Sequence, residues 1–153
     1  MTPARVRELL IYDPLTGVFT WRTTRGPFIA GEVAGSLKTD GYWRIGLDGR
    51  QHYAHRLAWA YMTGVWPVRD IDHRDRTRSN NIFKNLREAT SVQNAQNCAP
   101  RIGSSGYPGV TKCRTKWQAQ INADNEYHYL GVFPTAPEAH AAYLEAKARL
   151  HLF

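Results

Sequence analysis

The sequence predicts an α+β fold assembled from small modules, and three observations lead there. Residues 42–47 alternate with the two-residue period of a strand, and Asp48-Gly49 follows as a two-residue hairpin signal. Residues 55–62 and 137–150 instead carry apolar side chains at helical spacing. Residues 100–108, with Gly103, Ser104, Ser105 and Gly106 between two prolines, read as a linker. The expected modules are therefore 1–54, 55–99 and 109–153, joined by 100–108.

Taken in order, Thr2-Pro3 has the form of an N-cap with proline at the first helical position, and a short helix to about Leu10 follows. Residues 13–17 (DPLTG) form a turn, and residues 18–21 (VFTW) a strand. In the strand at 42–47, Trp43, Ile45 and Leu47 share one side, with Tyr42 and Arg44 on the other. Residues 51–54 return. Gly64 ends the helix at 55–62, and Pro67 prevents its continuation. Residues 68–85 are short extended pieces around a polar run, and 91–97 a second short helix. Beyond the linker come strands at 110–112, 116–122 and 127–133. The final helix has Ala139, Ala142, Tyr143, Ala146 and Leu150 on one face.

Composition narrows the function classes. Lys+Arg exceed Asp+Glu by 20 to 13, a net charge of +7. The excess is +2, +3 and +2 over residues 1–54, 55–100 and 101–153, so it is not a basic tail. An anionic partner such as nucleic acid fits this balance, as does a merely solubilising surface. Cys98 and Cys113 are the only cysteines and form no C-x-x-C pair, which argues against a cysteine zinc site or a disulfide scaffold. The first residues lack the apolar stretch of a signal peptide, and no run reaches membrane-spanning length. A cytoplasmic protein without membrane contact is expected.

The segment IDHRDRTRSNN, residues 71–81, reads either as a capped, solvated turn or as a site where Asp72 and His73 carry out chemistry. Cutting a phosphodiester needs a base for water and a cation to offset charge on the phosphate. Imidazole suits the first task because its unperturbed pKa is about 6.5. A hard cation takes oxygen ligands and keeps waters and phosphates, so one carboxylate and one amide from the protein suffice. Asp72 and His73 are adjacent, and on a strand their side chains diverge, so a strand end at this point is required. Asn94 comes from the following helix. Asn85 is placed to fix the loop by bonding backbone groups.

Together, His55-Arg56-Leu57, Asp72-His73, Asn85-Leu86-Arg87 and Thr90-x-x-x-Asn94 resemble the HNH (ββα-metal) endonucleases of bacteriophages and mobile introns. The resemblance covers about residues 55–97. It implies His73 as general base, Asp72 and Asn94 as metal ligands, Asn85 as the catalytic-motif amide that shapes the loop, and Mg²⁺ or Mn²⁺ as cofactor. Arg56, Arg74, Arg76, Arg78 and Arg87 surround this motif and suit phosphate contacts, or in part plain surface charge.

In the C-terminal module, residues 116–122 (KWQAQIN) put Trp117, Ala119 and Ile121 toward the helix and Lys116, Gln118, Gln120 and Asn122 outward. Outward amides and bases suit the major groove, and equally a solvated sheet face. Gly109-Val110, the W-x-A-x-I strand, Tyr129-Leu130-Gly131-x-Phe133 and Thr135-Ala136-x-Glu138-Ala139 resemble the AP2 (ERF-type) DNA-binding domain. That resemblance implies a three-stranded antiparallel sheet on one helix. By matching, its DNA-facing residues would be Thr111, Arg114, Lys116, Gln120, Asn122, Tyr127 and Tyr129, and the alternation adds Gln118, with Lys112 nearby. The joint expectation is a homing-type nuclease that cuts double-stranded DNA to leave 5′-phosphate and 3′-hydroxyl ends. A monomer with one site would nick, whereas double-strand cutting needs a dimer or two events. A catalytically inactive DNA-binding regulator and an RNA-binding module are the alternatives.

Overall fold

Thr2 caps the first helix as expected. In the computed structural model, which describes residues 1–97, 102–123 and 126–151, the Thr2 hydroxyl accepts the Arg5 amide at 3.2 Å and Pro3 opens α1 (Pro3–Leu9). Cys98 and the linker positions 100 and 101 lie outside the described residues. Helix α1 stops one residue before Leu10, which is already extended (φ −126°) and begins a strand absent from the sequence reading. This β1 (Leu10–Tyr12) pairs antiparallel with β2 (Phe19–Trp21). Leu10, Tyr12, Phe19 and Trp21 are all buried. The gain comes from that shared face, which no local window along the chain reveals.

A three-stranded antiparallel sheet follows, in the order β3 (Ser36–Leu37), β4 (Trp43–Leu47), β5 (Arg50–Tyr53). Asp48 and Gly49 both take positive φ (48° and 77°), as a two-residue type I′ hairpin requires. Ile45 and Leu47 are buried, on the side that the alternation predicts. Helix α2 (Ala54–Thr63) ends at Gly64, whose left-handed φ of 76° lets its amide bond the Ala60 carbonyl at 3.1 Å. Next come β6 (Asp70–His73) and β7 (Leu86–Ala89), paired antiparallel with Asp72 opposite Arg87 and His73 opposite Leu86. One apolar cluster runs from Val6 through Phe19, Ile45 and Leu57 to Ile71 and Leu86. These elements make up the first of two compact units, Met1–Thr90.

The second unit, Ser91–Phe153, begins with α3 (Ser91–Asn97). Its sheet has the order β10 (Glu126–Phe133), β9 (Lys116–Ala123), β8 (Val110–Cys113), all antiparallel. Helix α4 (Ala136–Leu150) carries a full capping box: Thr135 accepts from the Glu138 amide, and the Glu138 carboxylate accepts from the Thr135 amide. Ala139, Tyr143 and Ala146 on α4 bury against Val110, Ala119 and Ile121 of the sheet. Gly109 (φ 67°) sits so close to the Tyr143 ring that no side chain fits there. Ser105 ties the preceding turn to the strand by donating to the Val110 carbonyl at 2.8 Å. Among the described residues, no helix is long and apolar enough to cross a membrane.

Candidate active site

Strand β6 ends in two buried polar residues, Asp72 (6% exposed) and His73 (4%). Consecutive strand positions point to opposite faces, so the two side chains meet different partners. The Asp72 carboxylate meets Arg87 across the ladder, with Nη2 at 2.9 Å and Nε at 3.0 Å from Oδ2. The His73 ring lies 5.0 Å from that of His55, edge to face, and 6.1 Å from Tyr42. Its Nε2 is 3.3 Å from Oδ1 of Asn81, itself only 4% exposed.

Burial is the main reason that both imidazoles favour the neutral form. His73 is held below the usual histidine range, although Asn81, Asp75 and Asp72 oppose the shift. His55 is pushed further, to about 3, by burial and then by His73 and Arg56. A neutral imidazole near pH 7 is the form that accepts a proton.

The loop after β6 is tied by side chains. Asn85 accepts the Asp75 amide at 3.0 Å and donates to the Asp75 carboxylate and the Asn80 carbonyl, each at 2.9 Å. Asp75 also accepts from the Thr77 amide at 2.8 Å and from the Asn80 side chain at 2.7 Å. These bonds hold the Asp75 carboxyl below its ordinary range despite opposing desolvation. Asn85 thus joins Asp75 to Asn80 across the loop.

The candidate arginines differ in what they touch. Arg74 and Arg76 are exposed. Arg78 donates to the Asp40 carbonyl at 2.9 Å and lies over the Tyr42 ring. Arg56 donates to the carbonyls of Pro67 (2.7 Å) and Arg69 (3.1 Å). Asn94 stands on α3 in the second unit, half-buried. Among the described residues, no three His, Cys, Asp or Glu side chains cluster as an ion cage.

Residues 52–96 match the family model for HNH endonuclease. The match spans α2, β6, the tied loop, β7 and most of α3. It supports reading this segment as a nuclease that acts on DNA. No curated protein and no solved structure matches the chain. Two residues of the first unit escaped the sequence reading. Asn81 lay inside the polar run without a role, and Tyr12, whose hydroxyl donates to the Asn81 carbonyl at 2.6 Å, was not singled out. The doubled amide Asn80-Asn81 at the end of that run was the available signal.

In the second unit, Gln118, Gln120 and Tyr127 form a hydrogen-bonded triangle on the outer sheet face, with distances of 2.9–3.1 Å. Register puts Thr111 opposite Gln118, Tyr129 opposite Gln120 and Tyr127 opposite Asn122, so these share the face. Lys116 alternates onto it as well, while Arg114 occupies the β8–β9 turn at φ 55°. Lys112 pairs with Trp117 on the opposite face, its ammonium 6.0 Å from the Trp117 ring centroid.

Proposed function

We propose that the chain is a metal-dependent endonuclease that hydrolyses phosphodiester bonds in double-stranded DNA. The observation that carries this reading is the buried Asp72-His73 step at the end of β6, inside the HNH segment. His73, neutral by burial, takes a proton from a water molecule. The water oxygen attacks phosphorus, the bond to the 3′ oxygen breaks, and that oxygen takes a proton from solvent. The products carry 5′-phosphate and 3′-hydroxyl ends.

Asp72 and Asn94 would hold Mg²⁺ or Mn²⁺. When bound, such an ion offsets negative charge on the phosphate and on the departing oxygen. Asn85 keeps the loop after His73 in one conformation. Arg74 and Arg76, both exposed, would meet backbone phosphates. The outer face of the β8–β9–β10 sheet, with Gln118, Gln120, Asn122, Tyr127 and Tyr129, serves as an AP2-like major-groove reader, which makes cutting site-preferring. One active site per chain makes a monomer a nickase.

The test is incubation of supercoiled plasmids carrying candidate sites with Mg²⁺ or Mn²⁺. Wild type is expected to relax or linearise them, EDTA to stop the reaction, and His73→Ala to remove it. DNA binding without metal-dependent cutting would instead favour the inactive regulator.

A further inference from the structure

His73 as base raises the question of which ring nitrogen carries the lone pair. A neutral imidazole has one N–H and one acceptor nitrogen, and the hydrogen bond made by one fixes the other. Nε2 of His73 faces Oδ1 of Asn81 at 3.3 Å. The Asn81 amide cannot be turned round at no cost, because its Nδ2 donates to the Ser79 carbonyl at 3.2 Å. An amide oxygen only accepts. Nε2 therefore bears the proton and Nδ1 the lone pair.

Asn81 is itself clamped from the start of the chain. The buried Tyr12 hydroxyl of β1 donates to its carbonyl at 2.6 Å. The turn between β1 and β2 presses on the same peptide. A Cβ on Gly17 would lie 2.5 Å from the Asn81 carbonyl carbon, and the Phe83 amide donates to the Pro14 carbonyl at 3.2 Å. Asn85, the amide singled out by the motif, bonds Asp75 and Asn80. Asn81, four residues earlier, is the amide aimed at the imidazole.

We infer that Asn81 is the positioning residue for His73, selecting the tautomer with its lone pair on Nδ1, and that the β1–β2 hairpin holds Asn81 in place through Tyr12. The inference rests on His73 being the base, and it gives the N-terminal segment a part in catalysis besides any contact with DNA.

Long-range ¹H–¹⁵N spectra of the full chain read the tautomer directly, and on wild type they need no variant to fold. His73 is expected as the Nε2–H form. Asn81→Leu should turn it into a mixture and lower kcat roughly 10- to 100-fold with KM for DNA nearly unchanged. Tyr12→Phe, which keeps the ring in the core, should shift both readouts in the same direction by less. A wild-type His73 protonated on Nδ1 overturns the inference, as does an unchanged kcat in folded Asn81→Leu. An Nε2–H tautomer in a protein that cuts no DNA under any metal condition sinks the nuclease reading and the positioning role with it. The spectrum and the cleavage assay thus fail separately.

Discussion

His55 and His73 show what burial does to a titratable side chain. Nδ1 of His55 is buried without a hydrogen-bond partner among the described residues, and its neighbours are aromatic rings and a second imidazole. Charging it inside the fold is costly, hence the pKa of about 3. In the unfolded chain the same group titrates near 6.5. Below that value the unfolded state binds a proton that the folded state refuses, so stability falls as pH falls. Between pH 7 and pH 5 His55 alone should remove about 2 kcal/mol, read by urea unfolding at the two pH values. His73 adds to the loss in the same direction. A His55→Leu chain should show a flatter acid limb. The Asp72-His73 step was legible in the sequence because its chemistry sits in adjacent letters. Tyr12 was not, because its partner Asn81 lies 69 positions away.

At the scale of elements, the loop between β6 and β7 is a small hydrogen-bonded structure in its own right. Asn85 makes three of its bonds. Asn85→Ala should therefore cost roughly 2–3 kcal/mol of stability. Faster amide exchange at Asp75 and Thr77 should accompany it, together with lower cleavage, because the loop no longer holds the end of β6. The sequence marked this stretch as a polar loop and Asn85 as its organiser, since amides in such runs bond nearby backbone. Which of the doubled amides Asn80-Asn81 turns inward depends on the distant Tyr12, whose hydroxyl bonds the Asn81 carbonyl. Alternation likewise located β4 and β9, where half-buried faces leave a clear period, but β1 was too short for any period to register. Gly17→Ala should destabilise the first unit by more than the roughly 1–2 kcal/mol that a left-handed backbone costs a residue with a Cβ, because the Asn81 peptide also opposes a side chain. Thermal unfolding reads this.

For the whole molecule, the charge of +7 is spread along the chain, so DNA affinity should draw on phosphate contacts from several places. Affinity for an arbitrary duplex should fall at least about tenfold between roughly 50 and 200 mM salt, measured by fluorescence anisotropy. Gln120→Ala and Tyr127→Phe, on the outer face of the second unit, should weaken binding to a preferred site by about 1–3 kcal/mol. They should leave binding to arbitrary DNA and the rate at saturating DNA nearly unchanged. Charge and alternation made this face visible in the sequence, while the triangle of Gln118, Gln120 and Tyr127 depends on strand register.

In the proposed mechanism His73 removes the proton from the attacking water. Single-turnover cleavage of one mapped site by wild type and by folded His73→Ala, with Mg²⁺ present and DNA affinity measured alongside, tests it most directly. The expected rate for His73→Ala is lower by about 10²- to 10⁴-fold, with affinity within about twofold. Cleavage by His73→Ala at the wild-type rate would contradict it.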